Sequence, residues 1–171
     1  LWDTLADVRD VAVDGQRVCA AGGTKGLWVL DATDPAHLTE RGQAVAVGEV
    51  NAVDVANALV LVAESQGLSV FDITDPATPQ LRGRHADPTG FQHVWVAGNL
   101  VYAAGANGLR AFDFSDPDHL VPAGAWTTSG TAGRFHLAGD YAYVAVDLEG
   151  LQIFDVSDPQ STSPVAIYNI P

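Results

Sequence analysis

Short apolar runs broken by turn residues fill this chain, and four of them are near copies. They read GLWVLD at 26–31, GLSVFD at 67–72, GLRAFD at 108–113 and GLQIFD at 150–155. One set of alternate positions holds Leu27 and Val29, Leu68 and Val70, Leu109 and Ala111, Leu151 and Ile153; the other set ends in Leu30, Phe71, Phe112 and Phe154. A period of two predicts a strand, and apolar residues on both faces predict a strand covered on both sides, as in a sheet stacked between two others. The remaining column holds Trp28, Ser69, Arg110 and Gln152, and its variety predicts a place near an edge or an opening.

Two further strands are predicted upstream of each copy. The nearer one reads VCAA at 18–21, VLVA at 60–63, VYAA at 101–104 and AYVA at 142–145. Turn pairs precede it at Gly15-Gln16, Asn57-Ala58, Gly98-Asn99 and Gly139-Asp140, where Gly and Asn tolerate the positive φ of a tight hairpin. Before those lie VAV at 11–13, VDV at 53–55, VWV at 94–96 and FHL at 135–137, and a last strand follows each copy. The four units start at Gly26, Gly67, Gly108 and Gly150, steps of 41, 41 and 42 residues. Four short antiparallel strands in such a period make one propeller blade, so the expected class is an all-β β-propeller with four blades present. The blades run at about 7–46, 48–87, 90–128 and 131–171 of a single region 1–171, with 1–5 as the remnant of a preceding blade.

After each copy comes Asp-x-(Ser/Thr)-Asp-Pro: Asp31, Asp34 and Pro35; Asp72, Asp75 and Pro76; Asp113, Asp116 and Pro117; Asp155, Asp158 and Pro159. Asp followed by Pro suits the first two positions of a type I turn, and the first Asp and the hydroxyl can accept from nearby backbone N–H groups. The competing reading, a calcium loop, lacks the ligand ladder and the glycine of an EF-hand. These positions are therefore structural turns, and no metal site or cofactor is expected.

The strand LWVLD, LSVFD, LRAFD, LQIFD with its Ser/Thr-Asp-Pro turn resembles the LVIVD repeat family, as do VAGNLVYAAGANGL and LAGDYAYVAVDLEGL upstream. The resemblance spans essentially the whole chain. It implies a β-propeller of a secreted or cell-surface protein of bacteria or archaea, hence an extracellular or surface location. It implies no shared catalytic residues.

Composition narrows the partners. Asp and Glu number 21 against 8 Lys and Arg, a net charge of −13, which opposes binding to nucleic acid or to an anionic membrane surface. No apolar run approaches the ~18 residues a membrane span needs, so no direct insertion is expected. The single Cys19 excludes an internal disulfide and reads as a small core residue. The chain carries no Met, so it reads as a processed product or a fragment, and the missing signal peptide says nothing of location.

The repeat register bears on closure. Gly42, Gly83 and Gly124 stand sixteen residues past their motif glycines, and Ala166 takes that place in the last repeat. Leu1–Thr4 aligns with Ala125–Thr128, so Trp2 matches Trp126, and Ile167–Pro171 falls in the same register. The two ends duplicate one segment instead of completing each other. The expectation is an arc of a larger propeller, completed by missing blades or by a second copy, with a closed four-blade ring as the alternative.

The first strand of each blade lines a propeller's channel, and its start holds the most mixed column: Asp10, Ala52, His93 and Arg134, preceded by Arg9, Asn51, Gln92 and Gly133. Arg9, Asp10, Asn51, Gln92, His93 and Arg134 are thus the candidate channel-mouth ligand site, with Glu64, Asp147 and Glu149 of the neighbouring loops as further carboxylates. The other histidines read as structure. His37 and His119 follow the Pro turns, His136 is an interior strand residue, and His85 shares a packing column with Trp2, Ala44 and Trp126. The leading function is a non-catalytic surface or secreted interaction module binding a protein or carbohydrate. The alternatives are a hydrolase or lactonase-like enzyme using His93 and Asp10, and a structural spacer.

Overall fold

The computed structural model describes residues 7–158 and 162–169. Leu1–Thr4, Trp2, Pro159 and Pro171, named above, lie outside them. Among the described residues, sixteen strands form four antiparallel sheets in sequence order. Blade 1 is β1 (Asp10–Asp14), β2 (Arg17–Ala21), β3 (Leu27–Asp31) and β4 (Thr39–Ala44). Blade 2 is β5 (Val50–Ala56), β6 (Leu59–Glu64), β7 (Gly67–Asp72) and β8 (Gln80–Ala86). Blade 3 is β9 (Phe91–Ala97), β10 (Leu100–Gly105), β11 (Gly108–Asp113) and β12 (Val121–Trp126). Blade 4 is β13 (Ala132–Ala138), β14 (Tyr141–Val146), β15 (Gly150–Asp155) and β16 (Ala166–Tyr168).

The core lies between the blades, not within one. Cys19, Ala21, Leu27 and Val29 of blade 1 pack on Val50, Val53, Val60, Val62, Phe71 and Ile73 of blade 2. The other face of blade 2 meets Phe91, Val94, Val101 and Phe112 of blade 3, whose far face meets Ala132, Phe135, Val144 and Phe154 of blade 4. That is why the motif strands are apolar on both faces. Cys19 is fully buried, and burial pushes its thiol up to about 12. The varied column is a correction to the edge reading: Ser69 and Gln152 are 0% and 1% exposed between the blades, and Trp28 is 7% exposed, packed with Ala20 and Leu30 on the face of blade 1 away from blade 2. His136 is also corrected, since it lies exposed on β13, edge-on to Trp95 at 5.0 Å.

The turns follow the sequence chemistry. Asp31, Asp72, Asp113 and Asp155 each accept the backbone N–H two residues on, at 2.7–2.9 Å. Asp34, Asp75 and Asp116 do the same at 3.0 Å. The hydroxyl and N–H of Thr33, Thr74, Ser115 and Ser157 hold the first carboxyl of each turn below its ordinary range.

The four sheets form an open arc. Leu61 and Tyr102 are 0% and 5% exposed under a following blade, whereas Tyr143, at the same place in blade 4, is 38% exposed. At the other end Val11 is 55% exposed, while its counterparts Val53 and Val94 are nearly buried at 3% and 2%.

Candidate functional site

The first strands β1, β5, β9 and β13 stand side by side around the inside of the arc and enclose a cavity of about 620 Å³. Apolar Val11, Val13, Val53, Val55, Val94 and Val96 and polar Asp10, Asp54, Asn57, His93 and Arg134 line it together. Of the six sequence candidates, the fold brings Asp10, His93 and Arg134 to this cavity and leaves Arg9, Asn51 and Gln92 outside its lining. Strand alternation explains the split, because successive side chains point to opposite faces.

Asp10 is mostly buried and bridges two blades. One carboxylate oxygen accepts from Val53 N–H at 3.2 Å, and the other lies 3.8 Å from the Arg134 guanidinium. Asp54 repeats the device one blade on, with an oxygen accepting from Val96 N–H at 2.7 Å and the other from Val55 N–H at 2.8 Å. Inner strands have an unpaired edge, and these carboxylates satisfy its donors from the preceding blade. Asp54 was missed from the sequence. Its signal was a charged residue inside the apolar VDV run, a position that demands a partner.

His93 is 8% exposed, and its ring stands edge-on to Phe135 at 4.9 Å. Its Nδ1 is buried without a hydrogen-bond partner among the described residues. Burial lowers its pKa, and the Arg134 charge adds to the shift against the opposing pull of Asp10 and Asp54. Arg134 itself is largely exposed.

Outside the cavity, Arg9 is the hub of a rim network. Its guanidinium reaches Asn51 Oδ1 at 2.7 Å and the carboxylates of Asp7 and Glu49 at 2.9 Å each. Asn51 in turn donates to the Phe91 carbonyl at 2.8 Å. Gln92 points outward on β9. Glu64 departs from the expectation of a mouth carboxylate: it is fully buried, and Oε2 accepts from Gly48 N–H at 3.0 Å, holding the loop before β5. No group of three or more His, Cys, Asp or Glu side chains among the described residues has metal-binding geometry.

The LVIVD repeat model matches four times, at residues 6–45, 47–87, 91–128 and 129–170. The chain belongs to the LVIVD repeat family. No curated protein matches it. Among solved structures, this LVIVD chain is similar to the computationally designed protein Ika8 at 11% identity, covering 95% of this chain and 49% of that one, with a TM-score of 0.75. It is similar to the designed protein Ika4 at 12% identity, covering 91% of this chain and 95% of that one, with a TM-score of 0.69. It is also similar to BamB from Moraxella catarrhalis at 18% identity, covering 92% of this chain and 49% of that one, with a TM-score of 0.67. The LVIVD chain thus spans about half the length of Ika8 and of BamB. At these identities the likeness shows the fold alone.

Proposed function

We propose that this LVIVD chain is a non-catalytic interaction module, secreted or held at the cell surface, that binds a protein or glycan on a rigid propeller scaffold. The observation that carries this reading is the use made of the cavity's carboxylates. Asp10 and Asp54 are spent cross-linking blades through the Val53 and Val96 N–H groups. His93 faces the Phe135 ring and hydrogen-bonds to neither acid, so the general acid/base pair an enzyme would need is not assembled. The repeat family supports a secreted or surface setting. The half-length match to Ika8 supports completion of the arc by further blades or a second copy.

The test has two arms. Against aryl esters and lactones, the protein should show no turnover that His93→Ala removes. Against an immobilised glycan and protein panel it should give a saturable response, retained when Asp10, His93 and Arg134 are all replaced by Ala. An ester turnover lost in His93→Ala would sink the reading in favour of the enzyme.

A further inference from the structure

A second cavity, of about 360 Å³, opens on the outside of the arc between blades 2 and 3. Its walls are the His85 ring on β8, Arg110 and Phe112 on β11, the β12 segment Pro122–Ala125, and Thr162. Arg110 stands in the varied column described above and is half-buried. Every other arginine among the described residues has a carboxylate or carbonyl partner: Arg9 with Asp7, Arg17 with Asp14, Arg41 with Asp31, Arg82 with Asp118, Arg84 with the Gln66 carbonyl and Arg134 with Asp10. Arg110 has none, and its Nε, like that of Arg84, is buried without an acceptor.

A half-buried guanidinium with no partner is costly, and in a native fold it calls for a reason. The repeat shows that the cost is avoidable. At the equivalent position blade 4 carries Gln152, which is 1% exposed and donates to Ser129 Oγ at 2.7 Å. One carboxylate acts on Arg110 electrostatically, that of Asp87, whose Oδ1 accepts from Thr89 N–H at 2.9 Å and Thr89 Oγ1 at 2.6 Å, and neither of its oxygens forms a hydrogen bond or close ion pair with Arg110. Arg110 thus lines the cavity with its charge offset only through space.

We infer that this cleft is a binding site for a carboxylate of monosaccharide size, held at its acid group by Arg110. A guanidinium fork matches a carboxylate in two parallel hydrogen bonds, which gives Arg110 the acceptor group it lacks in the fold. The apolar walls at Phe112, Pro122, Ala123 and Ala125 cover a compact body, and the volume sits at the small end of ligand pockets. The inference rests on the binding-module reading and names the class of ligand that module takes.

Chemical-shift titration of the whole chain with glucuronate, benzoate and glucose tests it. At least one acid should saturate, and glucose should bind at least about tenfold more weakly. The tighter of the two acids tells a sugar acid from an apolar one. Two variants locate the site. Arg110→Gln adopts the residue blade 4 already uses, and Ala125→Leu fills the cleft from the residue paired with Arg110 across β11 and β12. Each should lose about tenfold or more in affinity, and Arg110→Gln should melt higher than wild type because an unpaired charge is gone. Wild-type affinity in either variant, no saturation by either acid, or a lower melting temperature for Arg110→Gln overturns the proposal. Saturable binding of glucose that both variants leave untouched also overturns it, yet leaves the binding module standing.

Discussion

At the scale of single residues, burial makes two histidines into acid sensors of stability. Desolvation lowers the pKa of His93 and of His85, with the Arg134 charge adding to the first and the charges of Arg110 and Arg84 to the second. A histidine whose folded pKa is depressed contributes stability that is present above its unfolded value, about 6.5, and lost as pH falls through the folded value. The turn carboxylates Asp31, Asp72, Asp113 and Asp155 are lowered too, each first by the hydroxyl two residues on. Their contribution is in place above about pH 4 and disappears below it. The melting temperature should therefore hold above about pH 7, decline gently below about 6.5 and steeply below about 4. His93→Gln should flatten the first decline and leave the second. An unchanged first slope in that variant would mean that His93 takes up protons as readily folded as unfolded.

At the scale of elements, the device that stacks one blade on the next is a turn laid across a glycine. A Cβ on Gly42 would stand 2.3 Å from the Pro76 carbonyl oxygen, and one on Gly83 would stand 2.3 Å from that of Pro117. The Asp-Pro turns of blades 2 and 3 thus rest on the bulged fourth strand of the blade before, where only a hydrogen fits. Gly83→Ala should destabilise the fold by about 1–3 kcal/mol, because backbone has to move. Gly133→Ala meets nothing nearer than 3.6 Å and should be close to neutral. Equal urea midpoints for the two variants would contradict the account. The glycine column and the turns were legible in the sequence because their spacing is invariant from blade to blade, as were the strands with their two apolar faces. The contact between turn and glycine was not, since it joins residues of different blades. The same limit hid Asp54, whose partner is a backbone N–H of β9, and it hid the cleft at Arg110. Glu64 was misplaced for a related reason: its loop was assigned to the channel mouth, but its side chain turns back to hold Gly48.

At the scale of the whole molecule, the arc ends in faces that repeat logic says another blade would cover. Tyr143 and Tyr168 of blade 4 are 38% and 61% exposed. Yet blade 4 differs from the others at the seating point. Ala166 pairs with Ile153 just as Gly83 pairs with Val70 and Gly124 with Ala111. A blade arriving in the internal geometry, whether from a second copy or from elsewhere, would set its Asp-Pro turn against the Ala166 methyl at the distance that Gly42 and Gly83 keep clear. Apolar exposure draws a partner on, and the methyl holds it off. Ala166→Gly removes the obstacle and leaves the apolar face unchanged. Light scattering across a concentration series should therefore show stronger self-association for Ala166→Gly than for wild type, and Gly133→Ala should match wild type. Indistinguishable association of Ala166→Gly and wild type would mean that copies meeting at blade 4 do not use the stacking that joins blades 1 to 4, and that the open face recruits its partner in another register.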